Sequence, residues 1–538
     1  MSESGPATLG TAIKTPSRRF WFEVALTFLV FFVAAGDAAP LVNEPHYLCR
    51  LKHFWDPAYC RGDLFLESPD AHFTVVWLFG WITRLVSLET TAWVGRLLSW
   101  TLIAIGWQRL VGRVTTQAFM APLAAMVLVY ATREGHFAGE WIIGGFEAKT
   151  LAYGVVLFAL SEAIDGRWNR AWLLLGVASA FHALVGGWSV LALAFAAAGA
   201  AGRPSLTRMM PGLVVGGVIA MAGVGPALAL NIGTPDAIVS EANEIYVFTR
   251  LSHHLAPLTK PWDWIADRAG RHLVVVAVLA LLSYLRPRDG SPSIRLITRY
   301  AWGAELISLA GLAIEIIGWK DPAWVASLLK YYWFRLADIA APIAVATLVV
   351  DLIARELSAE RARAAVLATA CLALTAWPLA TGIRERLETP TSVTDSKLID
   401  PASWVAMCEW IEANTPSDAV FLTPRQGRSF KWHAQRAEVV TYKDVPQDAQ
   451  SMVEWRDRYF DVFQIGTWKS GKPKWTASLA LLGADRLREL GEKYGAGFVL
   501  NQAPRSDVDR GLPLRRRPSL PVLHRVGPYT LYELRRES

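Results

Sequence analysis

The stretch at 41–70, LVNEPHYLCRLKHFWDPAYCRGDLFLESPD, follows the first strongly apolar segment and carries Glu44, Asp56, Asp63, Glu67 and Asp70 with His46, His53, Arg50, Lys52 and Arg61. Charge at this density is costly beside hydrocarbon, so at a bilayer boundary the stretch is either a water-exposed loop or a site for a polar substrate. What flanks it decides between the two.

Before it, the polar residues 1–19 end in Lys14, Arg18 and Arg19, directly ahead of an apolar run at 20–35. The positive-inside bias then puts a cytoplasmic tail at 1–19 and the acidic stretch on the outer face. After it, 72–88 is interrupted by Arg84 and reads as an amphipathic helix at the outer interface, with the next span beginning near Arg96 and ending at Arg109 and Arg113. Further apolar runs lie near 118–132, 150–163, 171–183, 184–201, 209–229, 272–285, 300–318, 331–353 and 364–382, with Arg167, Arg170, Arg203, Arg208, Arg286, Arg288, Arg355 and Arg361 in the inner connections. Since a straight span needs roughly 20 apolar residues, this predicts about eleven transmembrane helices, the short pair around His182 forming one bent unit. The connections 36–92, 133–149 and 230–271 fall outside, and acidic and histidine side chains collect there.

Composition agrees with a membrane-embedded chain at 20–383: 53% of the 538 residues are hydrophobic, and 24 are Trp. The net charge of +7 comes from short basic clusters between apolar runs, which argues for membrane topology and against a nucleic-acid partner. Four cysteines exclude a disulfide-dense scaffold; Cys49 and Cys60 either close a loop disulfide or remain free thiols. Beyond Thr381 the long apolar runs stop. Residues 384–538 alternate between helix-like stretches (402–413, 478–494) and strand-like ones (419–423, 438–442, 497–501, 529–534), predicting an extracytoplasmic α/β domain.

Transfer of a sugar from a phosphate leaving group needs a carboxylate to orient or deprotonate the acceptor and cations, or a metal, for the departing phosphate. Glu44, His46, Tyr47 and Asp63 offer such groups in the first connection. Glu140, Glu147 and Lys149 offer them in REGHFAGEWIIGGFEAK at 133–149, beside Gly144 and Gly145, and Arg335 does so in KYYWFRLADIAAP at 330–342. The competing readings are a solvated acidic loop for Glu44, ordinary turn glycines before a helix, and snorkelling or an Arg335–Asp338 pair at helical spacing. His182 reads as a buried packing histidine. A divalent cation is a further option, since Asp, Glu and His can hold one, although no spacing compels it. Glu305 and Glu315, within one span, are with Asp338 the residues expected of a lipid or solute transporter or flippase.

The acidic first connection with NEPHYL, the interfacial helix, Arg96 in GRLLS and the terminal domain together resemble the polytopic membrane glycosyltransferases of the GT-C fold, which use polyprenyl-phosphate-linked sugars. The stretches GGFEAKTLAY, FHALVGGW, YYWFRLADIA and WIEANTPSDAVFLTP are also similar to those of uncharacterised bacterial multispan membrane proteins. In the GT-C class the first loop often reads Asp-Glu, a few residues, then Tyr, and the acidic pair supplies the base or a metal contact. Here Asn43 and Glu44 stand at that pair, so the resemblance implies Glu44 as the catalytic base or acceptor-orienting carboxylate, with Tyr47 near it and Asp37 or Asp63 as partner. It further implies a bacterial inner-membrane enzyme moving a sugar from a polyprenyl-phosphate carrier to an acceptor on the outer face. The loss of an acid at Asn43 leaves a non-catalytic GT-C-like protein as an alternative.

Overall fold

Ser17 and Ser87 each accept a backbone N–H from three residues ahead, Phe20 at 3.2 Å and Thr90 at 3.1 Å, and so start the helices Arg18–Ala35 and Leu88–Val111. In the computed structural model, which describes residues 17–200, 202–286, 291–388, 390–476, 478–508 and 518–534, nine further helices follow the apolar runs. They are Met120–Gly135, Ala148–Ile164, Trp168–Phe181, Ala183–Ala198, Leu206–Ala229, Trp262–Tyr284, Pro292–Ile317, Ala337–Ala359 and Arg361–Glu388. Every expected span falls on one of these eleven helices. Four of them, Leu206–Ala229, Pro292–Ile317, Ala337–Ala359 and Arg361–Glu388, are long and apolar enough to cross a membrane by length and composition. The chain is an integral membrane protein. Most of the expected tail, 1–16, and Arg288 lie outside the described residues.

The helices share one core, in which Trp100, Trp107, Leu128, Leu157 and Ile339 are buried. Their far sides carry exposed Val214, Val218, Leu273, Val274, Leu309 and Trp377, an apolar surface suited to lipid. Trp168–Phe181 and Leu206–Ala229 meet along glycines: a Cβ on Gly176 would stand 2.1 Å from the Gly216 carbonyl oxygen, and one on Gly212 2.4 Å from that of Asn169. Small residues at such a seam let two helix backbones touch.

Three expectations about the connections change. The stretch 41–70 is largely helical, Glu44–Trp55 and Leu64–Glu67, because Pro45 suits a first turn and Leu48, Cys49 and Leu51 have an apolar face to bury. Arg96 lies inside Leu88–Val111 and does not open a span. Residues 331–336 form a turn, with Tyr332 at φ 55°, and the helix begins only at Ala337. The segment expected at the interface is the helix Phe73–Phe79 followed by a 3-10 turn, Gly80–Arg84, with Phe73, Trp77, Trp81 and Leu85 exposed. Cys49 and Cys60 are free and buried.

Among the described residues the α/β region holds seven strands: β1 (Val420–Leu422), β2 (Ala437–Glu438), β3 (Gln464–Thr467), β4 (Pro473–Trp475), β5 (Phe498–Gln502), β6 (Val522–Val526) and β7 (Tyr529–Glu533). Five form a sheet in the order β2-β1-β5-β7-β6, with β1 parallel to β2 and β5, while β3 and β4 make a hairpin. Asp400 and Asp448 cap the helices Pro401–Asn414 and Ala449–Phe463, accepting from Ser403 N (3.1 Å) and Ser451 N (2.9 Å). The strand expected at 438–442 is reduced to its first residue, Glu438, at the end of β2. The helix expected at 478–494 is broken at Gly483 (φ 83°), leaving Ala484–Tyr494.

The glycine seam makes a prediction. Gly216→Leu drives a side chain into the Trp172 carbonyl, 2.5 Å from where its Cβ would sit. It is expected to cost at least about 1–3 kcal/mol, read as a lowered midpoint of thermal unfolding in detergent, with Gly217→Leu, whose Cβ meets nothing, as the neutral comparison.

Candidate active site at the domain-facing ends of the helices

Residues 136–147 join two helices without helix or strand, so their backbone N–H groups need acceptors from elsewhere. Two buried carboxylates supply them. Asp338 accepts from the N–H of Phe137 (2.6 Å), Ala138 (2.9 Å) and Glu140 (3.0 Å). Glu44 accepts from Phe146 N (3.0 Å) and Leu41 N (2.7 Å), and its two oxygens take a fork of bonds from Arg96, Nε at 2.6 Å and Nη2 at 2.5 Å. Both Glu44 and Arg96 are 0% exposed. With four donors on about four lone-pair sites, the Glu44 carboxylate is saturated by its own fold and anchors the connection. Gly145 lies so close that a Cβ there would be 3.0 Å from Glu44 Oε1.

The side chains this connection presents form a row of alternating charge. Glu147 Oε1 accepts from Asn43 Nδ2 at 2.7 Å, and its other oxygen is 3.5 Å from Lys149 Nζ. Lys149 is also 3.5 Å from Glu140 Oε1 and lies 3.9 Å over the Trp141 ring. Glu140 Oε2 is 3.2 Å from Arg335 Nε, whose Nη1 is 2.9 Å from His182 Nε2. Glu140, Glu147, Lys149 and His182 are all buried. Burial pushes the Glu147 carboxyl above its ordinary range, against the pull of Lys149. Burial alone would lower Arg335, but Glu140 and the tyrosines around it outweigh that and hold the guanidinium firmly charged. Tyr47 stands edge-on to His72, which is edge-on to His182. Burial, then Glu147, raises the Tyr47 phenol well above its usual value.

The other two expected residues serve a separate cluster. Lys431 Nζ reaches Glu438 Oε1 (2.5 Å), Asp444 Oδ2 (2.7 Å) and Asp63 Oδ2 (3.2 Å), and His46 Nδ1 is 2.9 Å from Asp444 Oδ1. Burial opposes the charge on Lys431, and the three carboxylates overcome it. Burial brings His46 down to about 4 against the influence of Asp444, so the ring is neutral at pH 7. This cluster fastens the α/β domain onto the 41–70 connection, as do Lys52 Nζ to Gln435 Oε1 (2.6 Å) and Tyr59 OH to the Lys431 carbonyl (2.6 Å).

Arg335 and Asp338 do not pair as helical spacing would have it, because Asp338 is occupied by backbone. Glu305, expected on a transport path, is 3.2 Å from His272 Nε2. Sequence reasoning passed over His182 as packing and Asn43 as a lost acid. Both lie in the row, and the signal for His182 was its position between two short helices. Lys443, which donates to Asn43 Oδ1, was also missed; its basic neighbours are interspersed along the chain and converge only in the fold. Among the described residues no group of three His, Cys, Asp or Glu side chains is placed to hold a metal ion, and the acids of the row are each paired with a cation. That donor set does not fit a divalent cation.

A family profile described as a domain of unknown function (DUF6798) matches residues 402–462. No curated protein matches the chain. Among solved structures the chain is similar to the Archaeoglobus fulgidus oligosaccharyltransferase in its complex with Zn and sulfate, at 13% identity and TM-score 0.46, covering 90% of this chain and 67% of that one. It is similar to the same organism's AglB with an inhibitory peptide and a dolichol-phosphate, at 13% identity and TM-score 0.43, covering 90% and 69%. It is also similar to ArnT from Cupriavidus metallidurans, at 14% identity and TM-score 0.42, covering 96% and 97%. These neighbours are GT-C-fold membrane glycosyltransferases, the class the sequence resembles.

The anchoring role is open to test. Glu44→Gln strands Arg96 as an unpaired buried charge and is expected to cost about 3–5 kcal/mol of stability, read by thermal unfolding. Glu147→Gln, which keeps the Asn43 contact, is expected to change the midpoint far less.

Proposed function

We propose that the chain is an integral membrane glycosyltransferase that moves a sugar from a polyprenyl-phosphate carrier to an acceptor on the outer face of the membrane, with the α/β domain extracytoplasmic. The observation that supports it is the buried row Glu147–Lys149–Glu140–Arg335–His182, drawn from separate connections to the ends of the helices beneath that domain. A carboxylate held beside cations at such a boundary suits chemistry that takes a proton at one end and leaves a phosphate at the other.

In this reading Glu147, and not Glu44, is the base. It takes the proton of an acceptor hydroxyl or amine as that atom attacks the anomeric carbon. The bond from that carbon to the phosphate oxygen breaks, and the polyprenyl phosphate leaves with the electron pair. Arg335, a bidentate donor, and Lys149 balance its charge, while Glu140 sets the spacing of the two cations. His182 and Tyr332 hold the Arg335 plane, the guanidinium lying 4.0 Å over the Tyr332 ring. Glu44 and Asp338 keep the connection in shape. Asp63 and His46 hold the domain over the row, and Tyr47 lines it. The domain spans 384–538 and the membrane part 20–383.

The test follows release of lipid phosphate from radiolabelled polyprenyl-phosphate sugars by the chain in lipid. Glu147→Gln is expected to lower the rate at least about a hundredfold, the scale of a positioned base. Because burial raises Glu147, and a base works only when deprotonated, the rate should climb with pH along a limb centred above the ordinary 4.5. That limb should vanish in Glu147→Gln. A wild-type chain that consumes no donor from the panel overturns the reading.

A further inference from the structure

Four cations gather where the α/β domain meets the 230–271 connection, and none of them forms an ion pair with a carboxylate among the described residues. Arg250 is buried; its guanidinium lies 4.5 Å over the Tyr442 ring, Nη2 donates to the Lys443 carbonyl at 3.2 Å, and Nε has no partner. Lys443 Nζ donates to the Asn43 side chain. Arg428 reaches the Gln426 side chain through Nε (3.2 Å) and Nη2 (3.0 Å), and Arg425 donates to the Tyr459 hydroxyl at 2.8 Å. The four crowd one another: burial, then Arg250, brings Lys443 down to about 7, and burial, then Arg250, lowers Arg428. The acids within reach are engaged elsewhere, Asp444 by Lys431 and His46, and Glu147 by Lys149 and Asn43. Like charges gathered together without counter-charge are costly, and an anion placed among them removes the cost.

A cavity adjoins this cluster. Arg425 and Gln426 line a space of about 240 Å³ together with Lys397, Arg505, Phe463 and Leu479, and among the described residues no Asp or Glu lines it. Arg425 follows β1 and Arg505 follows β5, so the space lies beyond the carboxyl ends of two adjacent parallel strands, where open α/β sheets take their ligands. The Phe463 ring, with cations, hydroxyls and amides around it, suits a small sugar-like molecule bearing a negative group.

We propose that Arg250, Arg425, Arg428 and Lys443 bind the phosphate or carboxylate of a soluble, sugar-sized acceptor that lies between this cavity, on the Arg425 side, and Glu147, on the Lys443 side. Lys443 and Asn43 connect the bound anion to Glu147. The word acceptor rests on the transferase reading, whereas the anion site stands without it.

The experiment titrates the full chain in nanodiscs with glucose 1-phosphate, glucuronate and neutral glucose by calorimetry, and separately measures binding of a polyprenyl phosphate incorporated in the disc. The two soluble anions are expected to bind, more weakly as salt rises, and glucose is not. The double variant Arg250→Gln, Arg428→Gln should lose at least about tenfold in affinity for the anions and bind the polyprenyl phosphate as the wild type does. No anion binding by the wild type, or equal binding by the variant, overturns the site. Loss of the polyprenyl phosphate with the soluble anions unaffected assigns the cluster to the donor lipid and overturns the acceptor. If the double variant does not fold, Arg428→Gln alone, half-buried and tied only to Gln426, decides on the same criteria with an expected loss of about threefold. Glu147→Gln should keep anion binding, so a failure of the transferase reading is distinguishable from a failure of this one.

Discussion

A twelve-residue connection without regular structure is held in a buried place by two carboxylates, and the rest of the site depends on that. Its amides would otherwise be unsatisfied donors, each costing on the order of 1–3 kcal/mol. Glu44 arrives from the first residue of a helix on one side, Asp338 from the first turn of another on the opposite side, and between them they take four of its N–H groups. Neither acid would be tolerable alone in that setting. Glu44 has Arg96 in a two-toothed grip, and Asp338 has backbone dipoles with His272 at 3.7 Å. What emerges is a rigid shelf from which Glu140 and Glu147 project, with Lys149 in the first turn of the helix that follows.

This division of labour separates acids that organise from acids with room to react. Glu44 and Asp63 have their oxygens committed to neighbours of their own fold. Glu147 has one strong hydrogen bond, from an amide that has no charge, and an ammonium at the edge of contact. Glu140 sits midway between two cations at 3.5 and 3.2 Å, which is spacing for electrostatic positioning more than for tight pairing.

Much of this was legible in the residues. Hydropathy and basic connections located the helices, because a span must bury or expose a continuous apolar face to lipid whatever its neighbours are. Five of the six side chains expected to bind substrate lie at or beside the row: Glu140, Glu147, Lys149, Arg335 and Tyr47. The connections were polar where the flanking helices were not, and that contrast survives folding. The role of Glu44 was not legible, since nothing in NEPHYL tells that Arg96, 52 positions later, points back at it. Nor was the helix Glu44–Trp55, whose apolar face is satisfied partly by Trp432 and Ala437 of the α/β domain. The short β2 strand and the break at Gly483 depend likewise on partners far along the chain.

The fastening around Lys431 bears on traffic. Three carboxylates from two parts of the chain converge on one buried ammonium, and lifting the domain away would strand Asp63 without that ammonium and part His46 from Asp444, with Tyr59 and Lys52 losing their partners as well. A lid secured in this manner does not flap. On the proposed transferase reading, both reactants would then approach the row of charges from beside a domain that stays in place, so the reaction would not wait on the domain lifting and closing.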